Sequence, residues 1–203
     1  MDIRGGFLKL DRVELDRVCT APKQLPPRSL PELAVIGRSN VGKSSLINAL
    51  LGRSGFMRVS RTPGRTQAIL FVRVGELGYV VDLPGYGYAR APAGVRRSWA
   101  ALVNGYMESR GGSAALLLLD VRREPGEGEH QLMEWFRRFG WEVRVVLTKA
   151  DKLPRGRRAA AVSAASKALG LSSETPPLLF SSLTGEGLPA LRKLVERSME
   201  LAK

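Results

Sequence analysis

From Glu32 onward, short apolar runs rich in β-branched residues alternate with stretches whose apolar positions recur every three or four residues. The runs predict strands over 32–36, 67–74, 77–81, 114–119, 142–147 and 177–180. The three-to-four spacing predicts helices over 43–51, 94–109, 127–139, 156–169 and 187–202. In the last of these Leu188, Leu191, Leu194, Val195 and Met199 share one face, as packing against a sheet requires. Strand-helix alternation of this kind predicts an α/β fold: a mostly parallel six-stranded sheet with helices on both faces. The turn at Gly75-Glu76 is too short for a crossover helix, so one strand is antiparallel. Ahead of this, Pro22, Pro26, Pro27 and Pro31 favour extended chain, so residues 1–31 read as an N-terminal extension with room for one strand, and 32–203 as the domain proper.

Composition narrows the class. The 203 residues suit a single core, no apolar run reaches the roughly 20 residues of a membrane span, and MDIRGGFLKLDR has no apolar signal segment, which predicts a cytoplasmic protein. The single cysteine, Cys19, has no partner for an intramolecular disulfide and reads as a small apolar residue. The single histidine, His130, lies in an acidic stretch with no nucleophile beside it, and Trp99, Trp135 and Trp141 fall in helix or strand patterns that place them in the core. A net charge of +13 points to a polyanionic partner, with a solvated basic face as the alternative.

The chemistry starts at GRSNVGKSSL. Gly37, Arg38, Ser39, Asn40, Val41, Gly42, Lys43 and Ser44 fit the phosphate-loop pattern GxxxxGK[ST] between a strand and a helix, with Ser45 in the helix's first turn. Backbone N–H groups and the helix N-terminus would wrap phosphates, Lys43 would reach the β and γ groups, and the Ser44 hydroxyl would bind Mg²⁺. Asp82 ends the next apolar run and would hold that Mg²⁺ through water. Leu83 and Pro84 lead to Gly85, whose N–H can approach a γ-phosphate. In the polar loop between, PGRTQ supplies Gly64, Arg65, Thr66 and Gln67. Thr66, directly before a strand, is preferred over Thr62 as a hydroxyl that joins Mg²⁺ when the γ-phosphate is present.

Strand 142–147 runs into Thr148, Lys149, Ala150 and Asp151. Guanine offers two adjacent donors to the Asp151 carboxylate, whereas adenine would point an acceptor at it, so the motif selects GTP and GDP over ATP. The stem of Lys149 can cover a face of the base, and Phe180, Ser181, Ser182 and Leu183 can bring backbone N–H groups to the guanine oxygen.

These motifs stand in the order of a Ras-like P-loop GTPase. GRSNVGKSSLINAL, TPGRTQ, VDLPGYGYA, LTKADKL and SSLTGEG closely resemble the EngB (YihA or YsxC) family of bacterial ribosome-biogenesis GTPases, over nearly the whole chain from Glu32. The resemblance implies a Ras-like fold, Mg²⁺ bound through Ser44 and Thr66, slow GTP hydrolysis, and action in assembly of the large ribosomal subunit; contact with rRNA, a monomeric state and no membrane partner are the accompanying expectations. Ras-type enzymes orient the attacking water with a Gln directly after DxxG; Tyr86 stands there and has no amide, so turnover should be slow. No catalytic residue is assigned. In several GTPases with an apolar or aromatic residue in place of that Gln, an asparagine at the position of Asn40 helps hold K⁺ beside the phosphates, which the resemblance extends to Asn40; bracing of the loop by its side chain is the equal alternative. The family's further acidic residue falls at Gly128 or Glu129, where no chemistry is assigned.

The positive charge falls near the mobile loops (Arg53, Arg58, Arg61, Arg65, Arg90, Arg96, Arg97) and beside the base motif (Lys149, Lys152, Arg155, Arg157, Arg158). Loops that order around γ-phosphate would couple nucleotide state to RNA affinity. A guanine-nucleotide-gated binding module without meaningful turnover is the competing reading. A trafficking GTPase is disfavoured by the lack of lipidation signals in MDIRGG and SMELAK, and a nucleoside kinase or ATPase would not need TKAD.

Overall fold

The structure, a computed structural model, describes residues 12–57, 68–87 and 92–201. Strands β1 (Val13–Cys19), β2 (Glu32–Gly37), β3 (Ile69–Val74), β4 (Gly78–Asp82), β5 (Ala114–Asp120), β6 (Glu142–Thr148) and β7 (Leu178–Leu179) form one sheet in the order β1-β3-β4-β2-β5-β6-β7. The helices are α1 (Lys43–Leu50), α2 (Ala93–Ser109), α3 (Glu127–Arg138), α4 (Arg155–Leu169) and α5 (Leu188–Leu201). Strand β3 runs antiparallel to both β1 and β4, and the other pairs are parallel. The sheet therefore has seven strands where six were expected. The added one is β1, whose side chains are exposed at all positions between Val13 and Cys19 and so show no alternation.

Strand alternation divides the core between the two faces. Ala34 and Ile36 of β2, with Ala115, Leu117 and Leu119 of β5, pack under α2, α3 and α4 through Tyr106, Phe136 and Leu169. Leu33, Val35, Leu116 and Leu118 face the other way, onto Ile47 and Leu50 of α1 and Leu191 and Val195 of α5. Trp141 is buried in the first cluster, and Trp99 and Trp135 are half-buried against it.

From β2 the chain first builds β3 and β4 on one side, then crosses through α2 to β5 on the other. The loop after β2 thus lies at a topological switch point, where open α/β sheets leave a crevice beyond the strand ends. The segment before β2 is tied down as well. The side chain of Gln24 accepts hydrogen bonds from the amides of Thr20 (2.6 Å) and Ala21 (3.1 Å), and Pro22 lies over α2 at Gly105, where a β-carbon would come within 3.2 Å of the proline ring. Arg110, just past α2, donates to both oxygens of Glu32 at 3.0 Å in the interior and to the carbonyl of half-buried Pro26.

Candidate nucleotide-binding site

The loop from Gly37 to Gly42 joins the buried end of β2 to α1, and its backbone explains the residue types. A β-carbon on Gly37 would lie 2.8 Å from Val41 and 2.9 Å from the Leu118 carbonyl. Gly42 has φ +107°, a left-handed conformation that other residues rarely adopt. Helix α1 starts without a side-chain cap. The N–H groups of its first turn, at Lys43, Ser44 and Ser45, have no intrahelical partner and face the helix N-terminus, the arrangement that binds phosphate. Ser39 Oγ is buried without a hydrogen-bond partner in the same loop.

Asp82, at the end of β4, pairs with the Lys43 ammonium, and burial pushes its carboxyl above the usual range while Lys43 opposes that shift. Leu83 is buried and bonded through its N–H to the Val35 carbonyl at 3.0 Å, and the Pro84 carbonyl accepts the Trp99 indole N–H at 3.1 Å. Gly85 lies against the phosphate loop, where a β-carbon would stand 3.2 Å from the Ser39 amide nitrogen. Tyr86 continues this contact: its N–H donates to the Gly37 carbonyl (3.3 Å) and its carbonyl accepts from Ser39 N–H (3.2 Å). The Tyr86 hydroxyl donates to Glu129 Oε1 at 2.9 Å, with the carboxylate buried and its other oxygen accepting from Gly126 N–H at 2.9 Å. Gly64, Arg65, Thr66 and Gln67 lie outside the described residues.

The strand ends gather the second half of the site. Thr148 Oγ1 donates to the Val41 carbonyl at 2.6 Å and lies 3.0 Å from the Leu119 carbonyl, joining β6 to the phosphate loop. Lys149, at φ +59°, turns back so that its ammonium reaches the carbonyl of Asn40 at 2.7 Å. Asn40, at φ +62°, is the other non-glycine residue with left-handed backbone among those described. Ala150 is buried, with its N–H on the Phe180 carbonyl. Asp151 Oδ1 accepts the Ser181 hydroxyl at 2.7 Å, and this bond holds its carboxyl below the ordinary value. The amides of Phe180, Ser181 and Leu183 are used on the Leu147 carbonyl, the Glu186 carbonyl and Ser181 Oγ. Of that four-residue stretch, Ser182 is the one whose amide makes no hydrogen bond among the described residues.

Sequence reasoning passed over Asp120. It ends β5 beside the phosphate loop, is 8% exposed, and sits 3.0 Å from the Lys149 ammonium and 2.7 Å from Arg122. An acidic residue closing the run LLLLD at the strand next to β2 was the available signal. Among the described residues no three His, Cys, Asp or Glu side chains gather to hold a metal. Hydroxyl, phosphate and water ligands, with a nearby carboxylate, suit Mg²⁺, and Ser44 and Asp82 fit that donor set.

Residues 32–149 match the family described as 50S ribosome-binding GTPase. The chain is 45% identical over 181 residues to the probable GTP-binding protein EngB of Geobacter sulfurreducens, covering 89% of this chain and 87% of that protein. It is 41% identical over 181 residues to the protein of the same name from Shouchella clausii, covering 89% and 92%. A crystal structure of a probable GTP-binding protein engB superposes with TM-score 0.69 at 20% identity over 84% of this chain and 99% of that one. Era in complex with MgGDPNP and nucleotides 1506–1542 of 16S ribosomal RNA gives TM-score 0.63 at 20% identity over 83% and 56%. With its phosphate loop at the switch point of a Ras-like sheet and relatives matching along most of its length, the chain belongs to the EngB family of GTP-binding proteins and is a P-loop GTPase.

Proposed function

We propose that this GTPase is a slow, nucleotide-dependent switch in assembly of the large ribosomal subunit, working in the cytoplasm and contacting rRNA through its basic surface. In this reading residues 32–203 form the nucleotide-binding unit, and the preceding residues brace it. Lys43 leaves Asp82 for the phosphates when nucleotide enters. Ser44 and Thr66 would hold Mg²⁺, with Asp82 acting on it through water, and Asp151 would take the guanine edge. The bound ion would neutralise charge between the phosphates. The match to the 50S ribosome-binding family and the net charge of +13 support the ribosomal part.

The observation that carries slow turnover is the placement of Tyr86. Its side chain is buried and its hydroxyl committed to Glu129, so nothing at this position orients an attacking water. In the switch reading an outside group supplies what is missing: K⁺ held with the help of Asn40, which is exposed beside the loop, or the ribosomal particle itself. The same observation favours a second reading, a binding module gated by GTP and GDP without meaningful turnover.

Single-turnover hydrolysis in K⁺ and in Na⁺, each with and without large-subunit particles, separates these. Acceleration by particles supports the switch; no acceleration favours the gated module, and equal rates in the two salts remove K⁺. Sedimentation with ribosomal subunits in GTP analogue, in GDP and without nucleotide tests the coupling, since indifference to nucleotide would sink the switch.

A further inference from the structure

We propose that Asp120 is a positioning residue for guanine-nucleotide binding, its carboxylate clamped by Arg122 and holding the ammonium of Lys149 so that the lysine stem lies fixed along the base pocket. This rests on the reading of TKAD as the base-binding motif. A lysine stem has four rotatable bonds and covers a base face poorly unless its end is anchored. Here the ammonium has two anchors, the Asn40 carbonyl at 2.7 Å and Asp120 Oδ2 at 3.0 Å. The first belongs to the phosphate loop and the second to β5, so the stem bridges from TKAD to the phosphate side of the site.

Asp120 is itself fixed. It pairs with Thr148 across β5 and β6, one residue before the lysine it holds. Its Oδ1 accepts from Arg122 N–H (3.1 Å) and Nε–H (2.8 Å), and its Oδ2 from Arg122 Nη2 (2.7 Å). The bonds from Arg122, the largest influence, hold the carboxyl well below the usual carboxylate range, so it stays charged throughout the neutral range. Asn40 and Lys149 are both in left-handed backbone, and surroundings must over-determine such conformations for them to persist. The paired carboxylate and carbonyl supply that constraint. Without Asp120 the lysine keeps one anchor, and its ordering falls on the binding step, shortening nucleotide residence.

The test uses the full chain and a double-mutant cycle of Asp120→Ala and Lys149→Ala, read by the affinity and dissociation rate of a fluorescent GDP analogue. The expected result is that Asp120→Ala weakens GDP by about tenfold through faster dissociation. In the Lys149→Ala background it should add no more than about twofold. Asp120→Asn, which keeps the side-chain shape, should fall between wild type and alanine, and serves where alanine lowers the melting temperature of the nucleotide-free protein. Wild-type affinity in Asp120→Asn and Asp120→Ala, or an equal loss with and without Lys149, overturns the proposal. Asp151→Asn tested on xanthosine diphosphate checks the base reading separately. A switch of preference to xanthine upholds that reading whatever Asp120 does, and unchanged guanine preference overturns it and this proposal together.

Discussion

Tyr86 carries three attachments: two backbone bonds to the phosphate loop and a side-chain bond to α3. Removing its hydroxyl by Tyr86→Phe leaves Glu129 Oε1 buried without that donor, which should cost about 1–3 kcal/mol in urea unfolding of the nucleotide-free protein. The pH sign follows from burial, which raises the hydroxyls of Tyr79, Tyr86 and Tyr106 above their ordinary value. A phenol raised in the folded state contributes fully below the unfolded value of about 10 and loses that contribution as pH rises beyond it. Ultraviolet titration should therefore show ionisation of these tyrosines together with unfolding above about pH 10. Ionisation of all of them in a chain that keeps its far-ultraviolet circular dichroism would contradict the burial. At this scale the phosphate loop, Asp82 and Asp151 were legible in sequence, because each motif is a short local string. Asp120 and the Tyr86–Glu129 bond were not, because their partners lie elsewhere along the chain.

Among elements, α2 is held unequally. Its C-terminal end is locked by Tyr106 and Arg110 onto Glu32 at the start of β2, while nearer its start Trp99 reaches the Pro84 carbonyl of the DLPG loop. Glu32→Ala would leave the Arg110 guanidinium buried without its carboxylate and should destabilise by about 3–5 kcal/mol, measured by chemical denaturation. Hydrogen exchange should be faster in the first turns of α2 than around Tyr106, a gradient that would let the DLPG loop respond to nucleotide while the helix end stays in place. Strand β1 is tested through Cys19, which is buried with its thiol on the Gln24 carbonyl and raised in pKa by burial. Alkylation at pH 8 should be far slower in the folded chain than in denaturant. Rapid labelling would mean that β1 leaves β3 readily. The helices and central strands were predicted within a few residues because their apolar periodicity is local, as in α4, expected over 156–169 and observed from Arg155 to Leu169. β1 gave no such signal: its exposed edge mixes Glu14, Leu15, Asp16, Arg17 and Val18.

For the molecule as a whole, an excess of 13 positive charges acts through where those charges sit. Of the basic cluster beside the base motif, Lys149 is committed to Asp120 and Asn40, and Arg158 makes a two-bond pair with Glu186. Arg155 and Arg157 are exposed at the start of α4. Arg58, Arg61, Arg65 and Arg90 lie outside the described residues. If α4 faces RNA, replacing Arg155 and Arg157 with Glu should weaken binding to ribosomal RNA and flatten its dependence on log salt by about one unit per lost phosphate contact. GDP affinity should stay within about twofold, since neither side chain belongs to the site. Unaltered RNA affinity would move the contact surface elsewhere on the protein.

Local strings and periodicities determined the alternation of strands and helices, the phosphate-loop string and the TKAD string with its carboxylate at Asp151, since each depends on neighbours a few residues away. Tertiary structure decided what depends on distant pairing. It brought β1 against β3 as a seventh strand, set Tyr86 onto Glu129, and closed Asp120, Lys149 and Asn40 into one contact across the ends of β5, β6 and the phosphate loop. The contacts of Lys149 with Asp120 and with Asn40, the latter 109 positions away, come within hydrogen-bonding reach through the parallel stacking of strand ends at the switch point.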